Sequence, residues 1–168
     1  MLKKIAIVAL LFILPLGVMA QVKFAHLNSQ EIITVMPEFT KAQADLDAMS
    51  KKFQEEMQRT QTEFNKRYQE FVAQADSLPK TIAERRQKEL QDMAQRQEQF
   101  QQEAYQTMQQ AQQDAMTPIY KKLDEAIKAV GTAEGVVYIF DIARTPIAFV
   151  GSQSVDVTAK VKAQLGIK

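Results

Sequence analysis

The sequence predicts an α+β protein in which a small β body carries a long, protruding antiparallel α-helical hairpin. No glycine occurs over residues 18–130, and most of that stretch consists of strong helix formers. One interruption, at residues 77–81, lies near its middle and contains a proline, which a helix interior does not tolerate. Strand-like segments at 22–28 and 136–150 flank the helical stretch, so both ends of the hairpin are expected to return to one β body.

Residues 1–20 have the pattern of a secretory signal peptide. Lys3 and Lys4 precede an apolar stretch over residues 5–14, and short side chains follow up to Ala20. The apolar stretch is shorter than the roughly 20 residues that span a bilayer, which favours cleavage near Ala20 over an N-terminal membrane anchor. The mature chain is therefore expected to be exported.

Composition excludes several classes of function. The 168 residues include 21 Lys and Arg against 20 Asp and Glu, and loss of Lys3 and Lys4 leaves 19 against 20, a formal charge of −1. This balance argues against a nucleic-acid partner bound through its phosphates. The absence of cysteine excludes disulfides, thiolate metal sites and cysteine nucleophiles.

Nothing in the sequence predicts an enzyme, a cofactor or a metal site. The chain has one histidine, His26, in a predicted strand, where a structural or interface role is favoured over that of a catalytic base. It contains no G-x-S-x-G, H-E-x-x-H or G-x-x-x-x-G-K motif. We therefore assign no catalytic residues.

The β body begins with a predicted short strand at 22–28, which a helical turn follows. Asn28 and Glu31 are placed to cap that turn, and Pro37 then suits the first position of a new helix. We assign residues 21–45 and 114–168 to the β body, called the base.

The helical hairpin is predicted over residues 46–113, called the arm, with its turn at 77–81. Thr81 and Glu84 match a capping box for the second helix. Apolar residues recur about every 3.6 positions on both helices, which predicts a single seam between them and an arm roughly 45 to 50 Å long. The seam comprises Leu46, Met49, Phe53, Met57, Thr60, Phe64, Tyr68, Phe71 and Ala75 going out, and Leu90, Met93, Gln97, Phe100, Ala104, Met108, Ala111, Ala115, Ile119 and Leu123 returning.

The second half of the base is predicted from its strand and turn signals. Residues 136–141 and 147–150 are expected to pair as a β-hairpin, and Asp156 is expected to cap a final helix. Pro118 lies inside the returning helical pattern, where we expect a kink or a restart. A small core with open sheet edges favours self-association.

Four apolar residues fall beside the seam. Side chains at seam positions are expected to pack between the two helices. Apolar side chains beside the seam are candidates for contacting a substrate. The alternative is that they are ordinary exposed apolar residues, which any protein surface carries. The candidates are Phe39, Val72, Tyr105 and Met116.

Charge is uneven along the arm. Around the turn, residues 59–88 carry seven cations against four anions, which predicts a basic tip. The tip could meet an anionic membrane or an acidic polypeptide, or it could simply be a solvated helical face. The seven cations are Arg59, Lys66, Arg67, Lys80, Arg85, Arg86 and Lys88.

The order of these elements resembles the Skp/OmpH family of periplasmic chaperones over essentially the whole mature chain. The resemblance implies a homotrimer whose strands close into a shared barrel, with three arms around a cavity that holds unfolded outer-membrane β-barrel proteins without ATP. A structural or adaptor role for a coiled-coil protein of the cell envelope is the alternative. The segments that carry the resemblance are Leu27-Asn28-Ser29, Met36-Pro37-Glu38-Phe39, Pro118-Ile119, Tyr138-Ile139-Phe140-Asp141 and Asp156-Val157-Thr158, together with the signal peptide and the glutamine-rich hairpin.

Overall fold

A computed structural model describes residues 22–167, so the predicted signal peptide lies outside the described residues. The chain is mostly helical with a small three-stranded sheet, which confirms the predicted α+β fold with a long helical arm. The elements in chain order are β1 (Phe24–Leu27), α1 (Ser29–Thr34), α2 (Pro37–Gln74), α3 (Lys80–Glu134), β2 (Tyr138–Asp141), β3 (Ser154–Asp156) and α4 (Thr158–Gln164).

The sheet has the strand order β2-β1-β3, and both outer strands run parallel to β1. The predicted antiparallel hairpin between 136–141 and 147–150 is therefore wrong. Residues 147–150 form no strand, and the third strand is β3, whose Val155 lies opposite Ala25. Parallel strands need a crossover connection, and residues 142–153 serve as that crossover from one edge of β1 to the other.

The core of the base lies on one face of this sheet. Ala25 and Leu27 of β1 are fully buried, and the helices on that side contribute further fully or almost fully buried side chains. These are Ile32, Met36, Ile119, Leu123, Val157 and Val161. One compact core thus joins α1, the lower ends of α2 and α3, and α4 to the sheet.

Two of the four predicted helix starts are confirmed. The Asn28 side chain accepts a hydrogen bond from the Glu31 backbone N–H at 3.1 Å, and Pro37 occupies the first turn of α2. At the arm turn, however, Pro79 is itself the N-cap, so the predicted capping box of Thr81 and Glu84 is wrong. Pro79 already has the extended ψ of 142° that an N-cap requires, which places Thr81 inside the helix. The prediction that Asp156 caps the last helix is also wrong, because Val157 is the N-cap of α4, although the Asp156 side chain accepts a hydrogen bond from the Thr158 backbone N–H at 2.9 Å.

The α3 helix runs through Pro118 without a break and ends at Gly135, whose φ of 62° is left-handed. The predicted restart at Pro118 is thus wrong, and the alternative, a kink, stays a prediction. A proline inside a helix costs about 3 kcal/mol, and the buried Ile119 and Leu123 that follow it hold the helix in the core. Because α2 and α3 also run through positions 45/46 and 113/114, the division into arm and base stays a prediction.

Candidate functional site

The arm is held together along the predicted seam. The rings of Phe53 and Phe100 meet edge to face with centroids 5.9 Å apart. Nearer the tip of the arm, the Gln97 side-chain amide donates a hydrogen bond to the side-chain oxygen Oε1 of Gln61 at 2.7 Å. Tyr68, by contrast, is 52% exposed although it was assigned to the seam. The seam therefore joins the two helices but does not cover every side chain that the helical period places on it.

The four candidate contact residues separate into two pairs. Val72 and Tyr105 stand on the arm with 54% and 66% of their surface exposed. Phe39 and Met116 are half-buried and pack against the base core. The structure thus brings Phe39 and Met116 together but leaves Val72 and Tyr105 apart from them.

Phe39 and Met116 line a concavity of about 300 Å³ between α2 and α3 at the root of the arm. We call it the arm-root groove. Its buried and half-buried lining is apolar and includes Leu46 and Tyr120. Its exposed lining consists of three glutamines, Gln30, Gln43 and Gln112, and none of its lining side chains is charged.

The loop after β2 supports one wall of the groove. The guanidinium of Arg144 lies 4.7 Å from the centroid of the Tyr120 ring, and its Nε is 3.9 Å from the Asp141 carboxylate. A cation over an aromatic face stabilises both groups. The base therefore holds the ring of Tyr120, a residue that lines the groove.

The predicted basic tip is largely compensated by local ion pairs. Arg59 pairs with Glu56 at 2.5 Å, which raises the pKa of Arg59, and Arg67 pairs with Glu63 at 2.9 Å. Among residues 22–167, Lys66 and Lys88 form no ion pair within 4 Å. The other contacts are Lys80 with Glu84 at 3.9 Å, Arg85 with Glu89 at 3.8 Å, and Arg86 with the Gln74 side chain at 2.9 Å.

Ion pairs also tie the helices of the base together. Lys122 of α3 pairs with Glu38 of α2, and this hydrogen bond lowers the pKa of the Glu38 carboxyl. Lys162 of α4 pairs with Glu31 of α1 at 2.5 Å. The first pair joins the two helices from which the arm extends, and the second joins two short helices of the base.

The outer face of the sheet carries an exposed aromatic cluster that the sequence analysis missed. Phe24 and Tyr138 stack with centroids 6.3 Å apart, and Phe140 lies 6.5 Å from Phe24. All three are exposed, at 41%, 61% and 43% respectively. The alternation of Phe24 with buried Ala25 was a signal, but only the register of β1 with β2 brings the three rings together.

Beside this aromatic cluster lies an apolar concavity of about 290 Å³. Phe149, which is 83% exposed, and Ile147 line it from the crossover loop. His26 Nδ1 is 2.9 Å from the Ser154 hydroxyl oxygen in the same wall. Parallel sheets are normally covered on both faces, whereas this face of the sheet has no covering layer in the described residues of the single chain.

Two further observations bear on chemistry. In the part of the chain that the structure describes, no group of three His, Cys, Asp or Glu side chains is arranged to hold a metal ion. Over the same residues, no helix combines the length and the apolar character needed to cross a bilayer.

A small α+β base, an open apolar sheet face and a long two-helix arm define an arm-bearing protein with extensive exposed surface. The model of the outer membrane protein (OmpH-like) family matches residues 23–165. The chain therefore belongs to this family, and the resemblance to Skp/OmpH proteins is confirmed.

A solved structure has the same fold. It is the crystal structure of a putative outer membrane chaperone (OmpH-like) from Caulobacter crescentus CB15, with a TM-score of 0.76 and 18% sequence identity. The alignment covers 87% of this chain and 85% of that chain. No curated protein matches this chain.

Proposed function

We propose that this protein is an ATP-independent periplasmic holdase that binds unfolded outer-membrane proteins in a cavity between the arms of a homotrimer. The observation that carries the proposal is the surface of the arm. The helix α2 is about 57 Å long, and none of its 38 residues is buried, so its surface is accessible along its whole length. Family membership and the predicted signal peptide support the periplasmic location.

The trimer is proposed to form through the outer sheet face. Phe24, Tyr138 and Phe140 expose a continuous aromatic surface, and burial of such surface is the main driving force of association. Both outer strands leave an edge open, and the apolar segment 147–150 is unpaired in the single chain. Pairing of this segment with a strand of a second copy would extend the sheets toward a shared barrel.

Client contacts are proposed to involve Phe39, Val72, Tyr105 and Met116. Val72 and Tyr105 are free of a packing role and give the cleaner test. Phe39 and Met116 also support the base core, so their replacement by polar residues is expected to reduce stability as well as binding. A holdase built on many weak contacts loses affinity gradually, so each site alone is expected to contribute little.

The test removes the arm from the full-length mature protein. A variant in which residues 46–113 are replaced by a short turn should remain a trimer by light scattering, because the base core and sheet face are retained. It should lose the ability of the intact protein to keep an unfolded outer-membrane β-barrel protein soluble after dilution from urea. ATP should have no effect on either protein.

The same measurement separates the holdase from an adaptor. If the intact protein lets several unrelated unfolded clients aggregate and binds one folded envelope protein instead, the adaptor role is correct. If the shortened variant becomes monomeric, the arms rather than the base hold the subunits together.

A further inference from the structure

We propose that the arm-root groove binds uncharged, extended polypeptide with alternating apolar side chains, and that its glutamines recognise the peptide backbone. This inference rests on the holdase function and names the segment of client that one part of the arm selects.

The charge of the groove sets it apart from the other concavities between α2 and α3. Charged residues make up 24% of the chain, yet the arm-root groove is lined by none. The mid-arm concavity is lined by Glu56, Glu63 and Arg96 among other charged residues, and the one near the tip by Arg67, Glu70 and Arg85. Because burial of an unpaired charge is costly, a groove without counter-charges favours an uncharged occupant.

The three glutamines are available for hydrogen bonding. Within residues 22–167, the side-chain amides of Gln30, Gln43 and Gln112 form no hydrogen bond with the protein, in contrast to the pair formed by Gln61 and Gln97. A glutamine amide has both donors and an acceptor, as a peptide group has. Such amides can pair with the backbone of a client whatever its sequence.

The shape and lining of the groove suit one large apolar side chain. Its volume is about 300 Å³, and Phe39, Leu46 and Met116 contribute apolar surface to it. Methionine is flexible and polarizable, which lets one site accept side chains of different shape. In an extended chain alternate side chains point the same way, so one apolar residue can enter while neighbouring backbone passes the glutamines. Transmembrane β-strands have this alternation.

The experiment compares two double variants with the same change of charge on the same two helices. Q43E with Q112E places carboxylates in the groove, whereas Q58E with Q95E places them at exposed arm positions outside it. Neither pair removes a hydrogen bond or a core contact of the protein. The probe is a fluorescent ten-residue peptide that alternates valine or leucine with serine or threonine, and its binding to the intact protein is measured by anisotropy.

The groove variant should bind the peptide about tenfold more weakly, and the control variant within about twofold of the unmodified protein. A peptide N-methylated on alternate backbone nitrogens should bind the unmodified protein about fivefold more weakly, because it has lost donors to the glutamine oxygens. Raising NaCl from about 50 to 300 mM should change the affinity less than about twofold, since no ion pair is involved.

Equal affinities for the two double variants, or for the two peptides, would overturn the inference, and so would a steep loss of binding with salt. The outcomes also distinguish a failure of the groove assignment from a failure of the proposed holdase function. If the unmodified protein keeps an unfolded β-barrel protein soluble while the groove changes have no effect on the peptide, the groove assignment is wrong and the function stands. If the unmodified protein does not keep that client soluble, the proposed function itself is wrong.

Discussion

The arm and the base share the helices α2 and α3, yet the two regions differ in what covers these helices. In the base, Leu123 of α3 is 2% exposed because the sheet and α4 enclose it. In the arm, the same helix has only its partner α2 beside it, and among the described arm residues the most buried is Ala104, at 8%. A single seam can join two helices but cannot enclose them. Stability is therefore concentrated in the base, and the arm provides surface.

The two regions also expose different apolar groups. The arm presents isolated apolar side chains such as Val72 and Tyr105, separated by polar and charged residues. The base presents Phe24, Tyr138 and Phe140 in one stacked cluster. Contiguous apolar patches mark interaction surfaces, whereas single exposed apolar residues are ordinary. The comparison assigns strong, specific association to the base and weak, distributed contacts to the arm, and four predictions test it.

The largest effect is expected at the sheet face. Replacing Phe24, Tyr138 and Phe140 together by serine should convert the proposed trimer to monomers at micromolar concentration, because the apolar surface proposed to drive association is lost. Light scattering measures the mass, and circular dichroism should show unchanged helix content. The matched control replaces Val72 and Tyr105 by serine and should remain oligomeric. An unchanged mass for the sheet-face variant would place the interface elsewhere.

The next effect is the loss of folding stability when a leucine of α3 is truncated, which we expect to be larger in the base than in the arm. Leu123→Ala in the base should lower the free energy of unfolding by about 3 kcal/mol, because it leaves a cavity in an enclosed core. Leu90→Ala in the arm should lower it by less than about 1 kcal/mol, since water and neighbouring side chains reach the half-buried site. Urea unfolding measures both variants. Similar losses would mean that the arm is as tightly packed as the base.

At the arm tip we expect an effect on membrane binding and little effect on the stability of the fold. Reversing Lys66, Arg67, Arg85 and Arg86 to glutamate should abolish binding to anionic vesicles at low salt. Each cation near such a membrane contributes about 1 kcal/mol, which fades over a Debye length of about 8 Å at physiological salt. Cosedimentation with vesicles measures binding.

The control for the tip reverses four cations outside it, namely Lys41, Lys52, Lys121 and Lys128. It should retain vesicle binding that the tip variant loses. If the unmodified protein does not bind anionic vesicles even at low salt, the tip is a solvated helical face in which Arg59 and Arg67 pair with carboxylates of their own helix.

The smallest effect is expected at Asp156, which precedes α4 in the base. Hydrogen bonds from Thr158, including its backbone N–H at 2.9 Å, lower the pKa of the Asp156 carboxyl, with smaller contributions from His26 and Lys162. A lowered pKa in the folded state means that the carboxylate stabilises the fold above the usual value of 3.8 and that this stability is lost as pH falls below it. Asp156→Asn should cost about 0.5 kcal/mol at pH 7 because the site is exposed.

The pH dependence gives the check on Asp156. Unfolding free energies of the unmodified protein and the variant, measured by urea at several pH values, should differ at pH 7 and converge toward pH 3. A difference that persists at pH 3 would mean that the aspartate acts through something other than its charge.

The sequence by itself determined the hairpin, its turn and most of its seam. These features depend on local rules: a proline stops a helix, and a period near 3.6 places apolar residues on one side. The same local reasoning predicted the Asn28 cap and the helix start at Pro37, both of which the structure confirms. It was wrong about Thr81, because Pro79 is the N-cap of α3, and about Asp156, because Val157 is the N-cap of α4.

Only the tertiary structure decided the sheet and the surfaces around it. Residues 147–150 have a stronger local strand pattern than β3, yet β3 pairs with β1 because it follows the crossover, where Val155 lies opposite Ala25. Pro118 likewise stays in a continuous helix because the neighbouring Ile119 is buried by distant parts of the chain. Strand pairing and core burial are set by contacts between residues far apart in sequence, which local patterns do not specify.

The candidate sites follow the same division. The sequence identified Phe39 and Met116 one by one as apolar residues off the seam, but it did not place them in one groove. The groove and the aromatic face exist because α2 is folded against α3 and β1 lies in register with β2. A helix period assigns a residue to a side of its own helix, whereas a site needs side chains from several elements to converge, and that convergence is decided by packing alone.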